Sequence, residues 1–318
     1  SHTISLPLLV WKTLQKKLVS ADPARFAYLR TKWDKFPDQS DHIKVQGYTP
    51  VNRIKDEHIL FLASFHNNDV TMSQFHVLTM LSESFPKDIT IILPFYPTAT
   101  MERVTVEGTC ATASTLARLF GALPTCGRPR RIMVYDLHTL QNRFYMSGNS
   151  LASLHTAFPL LLDKIPQTNI DCVAFPDDGA EKRFGEYFKK ALPGVKLVVC
   201  GKKRDPNDPA KRSVVIKDGD AKGMNVVIVD DMVQSGGTLY ETGKVLKANG
   251  ANSVSAFVTH AIFPNESYQR FLPEGDRSIF DNFWVTNSNP TISDKILKIQ
   301  NDNCFEVLDI TDLIIKDL

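Results

Sequence analysis

The stretch that most constrains this chain is VVIVDDMVQSGGT, residues 226–238. Residues 226–229 are a β-branched run, suited to a strand buried on both faces of a parallel sheet. Asp230 and Asp231 follow at its carboxyl end, and Gln234, Ser235, Gly236, Gly237 and Thr238 make a small, donor-rich turn. Residues 239–249 then have helical spacing, and Gly250 stands where a helix would stop. Backbone N–H groups in a glycine turn at a helix N-terminus can hold a phosphate. Adjacent carboxylates cannot. They suit vicinal hydroxyls, directly or through a divalent cation. The stretch therefore points to a phosphorylated sugar. The competing reading is an ordinary strand-to-helix turn with a solvated acidic pair, which a Gly-Gly turn alone would favour.

From residue 58 onward, apolar runs alternate with helix-spaced segments. Strands are expected at 58–65, 89–95, 131–137, 172–175, 196–200, 226–229, 254–259, 283–286 and 305–308. Helices are expected near 73–85, 109–120, 151–162, 181–191 and 239–249. This alternation predicts an α/β protein with parallel sheets. The strands are too many for one comfortable doubly wound sheet, and 318 residues is the length of two ordinary domains. Two similar domains follow, each a mostly parallel sheet flanked by helices. The SGNS turn at 147–150 is the crossing point, giving halves 1–150 and 151–318, with the last helix expected to pack back on the N-terminal half. The first forty residues are less regular: 8–19 and 23–33 read as helices, and 36–45 as a loop entering a strand.

Hydrophobic residues make up 43% of the chain and charged residues 23%, enough for full cores in a soluble protein. A net charge of +2 gives no argument for a nucleic-acid or membrane partner. The five cysteines lack metal-ligand spacing and imply no disulfide framework, which fits a reducing, cytoplasmic setting. No apolar run approaches ~18 residues, so no membrane span is expected. Residues 6–11 are apolar but short and lack a following cleavage pattern, which argues against a signal peptide.

In open parallel sheets, ligands sit outside the carboxyl ends of the strands. After 89–95 come Thr98 to Arg103. After 131–137 comes His138. After 172–175 comes PDDGA, in which Asp177 and Asp178 precede Gly179 and Ala180 as a helix begins. That turn offers carboxylates for a metal and N–H groups for a diphosphate. After 196–200 comes GKKRDPNDPAKR, with two prolines. Residues 196–222 hold eight basic and four acidic residues. This segment is either a solvated hairpin or loop, or a lid that brings Lys202, Lys203 and Arg204 over phosphates. A lone His138 or Asp177 would more often be structural. Their repeated placement at strand ends shifts the balance.

VVIVDDMVQSGGT resembles the ribose-phosphate loop shared by type I phosphoribosyltransferases and ribose-phosphate pyrophosphokinases, the phosphoribosyl pyrophosphate synthetases. Four further stretches favour the synthetases. YDLHTLQNRFY (135–145) is similar to their Asp-Leu-His segment, AFPDDGA (174–180) to their pyrophosphate loop, CGKKR (200–204) to their catalytic flexible loop, and LPFYPTATMER (93–103) to their ATP-side segment. The resemblance runs in order from about residue 36 onward. It is nearest to the plant-type, phosphate-independent class, which has similar PDDGA and DDMVQSGGT segments.

The resemblance implies the following roles. The enzyme would transfer the β,γ-diphosphoryl group of ATP to the anomeric hydroxyl of ribose 5-phosphate. Asp230 and Asp231 would hold the ribose hydroxyls, partly through magnesium, and Gln234, Ser235, Gly236, Gly237 and Thr238 would wrap the 5-phosphate. His138 and Asp177 would bind the magnesium that accompanies ATP. Asp177, Asp178, Gly179 and Ala180 would form the pyrophosphate loop. Lys202 and Arg204 would neutralise charge as the group moves. Phe36 and Asp38 would face the adenine of a neighbouring subunit, which makes a homo-oligomer the expected state. Thr100, Met101 and Arg103 would lie on the ATP side, in the N-terminal half. The bacterial-type class has Arg-Gln where this chain has Thr100 and Met101, and His where it has Asp178. Its sugar loop has an acidic residue, Thr and another small residue where this chain has Gln-Ser-Gly-Gly. Phosphate activation and ADP inhibition therefore do not carry over. Two alternatives stand beside the synthetase: a type I phosphoribosyltransferase that uses the product, and a non-catalytic regulatory relative.

Overall fold

Strand β5 (Arg130–Tyr135) is an inner strand of one parallel sheet, and strand β10 (Asn225–Val233) is the middle strand of a second sheet. A computed structural model describes residues 16–18, 29–146, 148–204, 212–299 and 303–318. These fall into two compact units, one within residues 1–156 together with Thr311–Leu318, the other Ala157–Ile310.

In the first unit, β3 (His58–Leu62), β4 (Asp88–Ile92), β5 and β6 (Ser150–His155) form a four-stranded sheet in that order, with every pair parallel. Ile89, Ile91, Ile132 and Val134 have essentially no exposure, as strands covered on both faces require. Helix α1 (Asn68–Ser82) starts at Asn67, whose side chain accepts a hydrogen bond from the Val70 amide. Helix α2 (Thr112–Ala122) buries Ala113, Leu116, Ala117 and Phe120, an i, i+3, i+4, i+7 stripe. A one-turn helix, α3, spans Asn142–Tyr145. β1 (Thr31–Lys35) and β2 (Asp41–Val45) make a separate antiparallel hairpin.

The second unit has a seven-stranded sheet. Its strands are β7 (Cys172–Phe175), β8 (Lys196–Arg204), β9 (Arg212–Asp218), β10, β11 (Ser253–Ala261), β12 (Phe283–Thr286) and β13 (Phe305–Leu308). The order is β13-β12-β11-β10-β7-β8-β9, and only the β8–β9 pair is antiparallel. Helices α4 (Phe158–Thr168), α5 (Asp178–Ala191), α6 (Gly237–Ala248) and α7 (Pro290–Ile296) connect the strands. The last helix, α8 (Thr311–Asp317), belongs to the first unit. There the Asp317 carboxylate accepts from the Tyr135 hydroxyl at 2.8 Å and meets His155 Nδ1 at 3.1 Å, and its carbonyl accepts from Arg131 at 2.8 Å.

The α/β class and the largely parallel sheets agree with the sequence. Two expected helices do not. Residues 151–162 divide between β6 and α4. Leu151, Leu154, Phe158 and Leu161 have the spacing of one helical face, but residues 151 and 154 pair with β5, and α4 begins only at Phe158 with a proline in its first turn. Residues 31–33, expected as the end of a helix, lie in β1. Pairing with β2 through a turn closed by Phe36 N–H to the Ser40 carbonyl overrides their weak helical pattern. The remainder of the expected helices at 8–19 and 23–33 lies outside the described residues, apart from 16–18 and 29–30. Among the described residues, no helix is long and apolar enough to cross a membrane.

Candidate active site

The second unit contains a topological switch point. From β7 the chain moves through α5 to β8 on one side, and from β10 it moves through α6 to β11 on the other. β7 and β10 are adjacent, so the turns after them flank the crevice where such sheets bind ligands. Those turns are PDDGA and DDMVQSGGT. Among the described residues, the four-stranded sheet of the first unit has its strands in sequential order and shows no such switch point.

Val226, Val227, Ile228 and Val229 are fully buried, as their β-branched run predicts. β10 pairs with β7 only over Val226–Ile228, yet continues alongside β11 as far as Val233. Past Ile228 its β7 side is therefore open, and the acidic pair stands there. The Asp231 side chain is 1% exposed and that of Asp230 19%. Arg183, from α5, reaches both: its Nη1 is 2.7 Å from Asp231 Oδ1 and its Nη2 3.7 Å from Asp230 Oδ1. Burial pushes the Asp230 carboxyl well above the usual carboxylate range. The neighbouring Asp231 charge adds to this, and Arg183 opposes it. Sequence reasoning missed Arg183. Its one signal was an arginine next to a run of core residues on a helix that follows an acidic turn.

The glycine turn is built for close backbone approach. Gly236 has φ of +73° and caps α6, and a Cβ added to it would lie 2.4 Å from Cζ of Phe271. A Cβ added to Gly237 would meet nothing nearer than 3.8 Å. α6 has neither a side-chain cap nor an acidic residue in its first turn. α1 and α5 have both: Asn67 with Asp69, and Asp177 with Asp178 and Glu181. Gln234 and Ser235 are exposed, and Thr238 is half-buried in the first turn of the helix. Arg277 donates to the Ser235 carbonyl at 2.9 Å, which fixes the turn from outside.

In PDDGA, Asp177 caps α5, its Oδ1 accepting from the Ala180 amide at 2.9 Å. Asp178 pairs with Lys217 at 2.5 Å. Asp177→Ala is expected to remove about 1 kcal/mol of stability with the cap, and Asp177→Asn to retain it. Chemical denaturation of the two variants measures the difference.

The described ends of the basic segment belong to the antiparallel pair β8 and β9, and β8 continues past the expected end at residue 200 to Arg204. Lys202 and Lys203 are exposed on it. Residues 205–211 and the side chain of Arg204 lie outside the described structure.

The remaining candidates are in the first unit. His138 is half-buried just beyond β5. Thr98 to Glu102 are tied down by the segment after His138: Asn142 donates to the Ala99 carbonyl at 3.0 Å and the Tyr145 hydroxyl to the Glu102 carbonyl at 2.9 Å. Thr100 is half-buried, while Met101 and Arg103 are exposed. Phe36 and Asp38 sit in the β1–β2 turn. Phe36 is 46% exposed and stacks on His42 at 4.4 Å. The Asp38 carboxyl is held below the usual range by hydrogen bonds from the Ser40 hydroxyl and amide. Among the described residues, no three His, Cys, Asp or Glu side chains gather as a metal cluster.

Residues 157–287 match the phosphoribosyl transferase domain family, which covers the second unit's switch point. That match leaves the first unit unassigned. Ribose-phosphate pyrophosphokinase 4 of Oryza sativa subsp. japonica is 42% identical over 283 residues, spanning 87% of this chain and 83% of the rice protein. The chain belongs to the ribose-phosphate pyrophosphokinase family. Ribose-phosphate pyrophosphokinase 4 of Arabidopsis thaliana is 40% identical over 296 residues, spanning 91% of this chain and 84% of its own length. Among solved structures, phosphoribosylpyrophosphate synthetase from Mycobacterium smegmatis superposes with a TM-score of 0.74 at 26% identity, covering 96% of this chain and 92% of that one. The pyrophosphokinase likeness thus extends over both units, as the sequence resemblance implied.

Proposed function

We propose that this protein transfers the β,γ-diphosphoryl group of ATP to the anomeric hydroxyl of ribose 5-phosphate, giving 5-phosphoribosyl 1-pyrophosphate and AMP. The observation that carries this reading is the pair of loops at the β7/β10 switch point, one acidic and one glycine-rich, in a chain of the pyrophosphokinase family. The 5-phosphate fits the uncapped N-terminus of α6, where Ser235, Gly236, Gly237 and Thr238 present backbone and hydroxyl donors and Gln234 adds an amide. The ribose hydroxyls fit Asp230 and Asp231. A phosphoribosyltransferase that only consumes the product is disfavoured, because the family likeness includes the first unit, which lies outside the phosphoribosyl transferase match.

Both reactants are anions, so catalysis is chiefly positioning and charge neutralisation. Lys202 and Arg204, at the far end of β8, supply positive charge to the group in transit. Asp177, Asp178, Gly179 and Ala180 face the diphosphate end from the N-terminus of α5. Thr100, Met101 and Arg103 form the nucleotide side, and Phe36 and Asp38 serve a neighbouring copy's adenine in a homo-oligomer.

Magnesium fits the donor set. Asp230 and Asp231 are hard oxygen ligands, and a divalent cation beside them would offset the burial and the neighbouring like charge that raise the Asp230 carboxyl. Asp177, at the N-terminus of α5, is proposed as a ligand of the nucleotide-side ion, and His138 is proposed as a metal ligand of the first unit. When bound, magnesium neutralises phosphate oxygens and stabilises the leaving AMP. The setting proposed is cytoplasmic.

One assay tests the reading: purified protein with ATP, ribose 5-phosphate and magnesium, followed by AMP release. AMP is expected only with both substrates, at a rate independent of added inorganic phosphate. A chelator is expected to abolish it. No AMP under these conditions overturns the proposal.

A further inference from the structure

Arg183 links the two loops of the site. Its guanidinium lies 2.7 Å from the buried carboxylate of Asp231 on β10, while its Nε donates at 3.2 Å to the Gly179 carbonyl one turn back in α5, where the pyrophosphate turn enters the helix. The ring of Phe184 lies 4.8 Å from its guanidinium carbon, a further restraint on its position. The two carboxylates it faces are not equivalent. Asp231 is 1% exposed and in close contact, whereas Asp230 is 19% exposed and 3.7 Å away. A carboxylate removed from solvent and engaged by a guanidinium is poorly placed to take a ligand's hydroxyl.

Resting on the ribose 5-phosphate reading above, we propose that Arg183 is a positioning residue that divides the acidic pair. It takes Asp231 as an internal counter-ion, and so narrows the pair proposed above for the ribose hydroxyls to Asp230 as the carboxylate presented to the sugar. The Asp231–Arg183–Gly179 connection is then a strut across the switch-point crevice, setting the distance between the sugar loop and the pyrophosphate turn. Its geometry depends on a planar fork that lysine lacks.

The test is calorimetric titration of ribose 5-phosphate into the wild-type protein, Arg183→Met, Asp231→Asn, the double variant and Asp230→Asn, with AMP release measured alongside. Arg183→Met and Asp231→Asn are each expected to weaken ribose 5-phosphate binding about tenfold, the usual size for losing a supporting partner. The double variant is expected to be no worse than either single one, because both remove the same strut. Asp230→Asn is expected to abolish measurable binding. In Arg183→Met the KM for ribose 5-phosphate should rise while kcat at saturation stays within about threefold. Arg183→Lys keeps the charge and should recover part of the affinity. It also carries the comparison if Arg183→Met does not fold. Binding losses that multiply in the double variant, or an Asp231→Asn loss matching that of Asp230→Asn with Arg183→Met unaffected, overturn the strut while leaving the function reading intact. A wild-type protein that neither binds ribose 5-phosphate nor releases AMP overturns both.

Discussion

Lys202→Ala is expected to lower turnover by about 10²–10³-fold, the size of effect seen when one preorganised charge-stabilising donor is removed at a transition state. Affinity for ribose 5-phosphate should be nearly unchanged. The reason is position. Lys202 is exposed on β8, opposite Val214 of β9 in the antiparallel register, and makes no part of the β10–α6 turn proposed for the 5-phosphate. Its charge matters when the diphosphoryl group carries negative charge between two anions. Arg204→Ala should behave in the same way, two residues further along the same strand. AMP formation at saturating substrates gives kcat, and calorimetry with ribose 5-phosphate gives affinity. A variant that loses both in equal measure would place Lys202 in sugar binding, and one with unchanged turnover would remove it from the reaction.

Gly236→Ala is expected to be as severe, but in binding and in stability together. The φ of +73° is costly for any residue with a Cβ, by about 1–2 kcal/mol. That Cβ would also lie 2.4 Å and 2.6 Å from two carbons of the Phe271 ring, which is fully packed beneath the turn. Overpacking adds about 1–3 kcal/mol. The turn relieves both by moving, and moving it disperses the donors proposed for the 5-phosphate. A fall of several degrees in thermal midpoint with loss of ribose 5-phosphate binding is the expected pair of results. Gly237→Ala is the control, since its Cβ has space and the helix begins there. It should cost little stability. Equal destabilisation by the two substitutions would show that Phe271 is not what forces glycine at 236.

The β10 run was legible because four successive β-branched residues admit few structures, and a central parallel strand is the one that buries them all. The turn after it was legible because glycine, serine and threonine beside a helix start have a narrow range of uses. Gly250, with φ of +87°, ends α6 where expected. β6 was not legible. Its leucines at 151 and 154 fit a helix as well as an edge strand, and the choice was made by β5, which offers an unsatisfied edge that no local pattern reports. Arg183 was illegible for a related reason. An arginine on an amphipathic helix ordinarily faces water, and only the pairing of β7 with β10 brings two carboxylates to it. Composition alone allowed the basic segment to be a solvated hairpin or loop, or a lid over phosphates. The antiparallel ladder from Cys200 to Arg204 shows that its described ends are paired strands, which no local pattern reports.

The chain leaves its first unit after Thr156 and returns to it only at Thr311. Arg131, Tyr135 and His155 thus meet Asp317 across as many as 186 residues of sequence. During synthesis from the amino end, the first sheet is exposed and lacks its closing helix while the whole of the second unit emerges. A protein built this way completes its first half last, and contacts this distant in sequence slow folding. The segment that closes the first unit, Thr311–Leu318, thus follows the whole of the second unit in the chain, and the first unit cannot be complete until the second has been made.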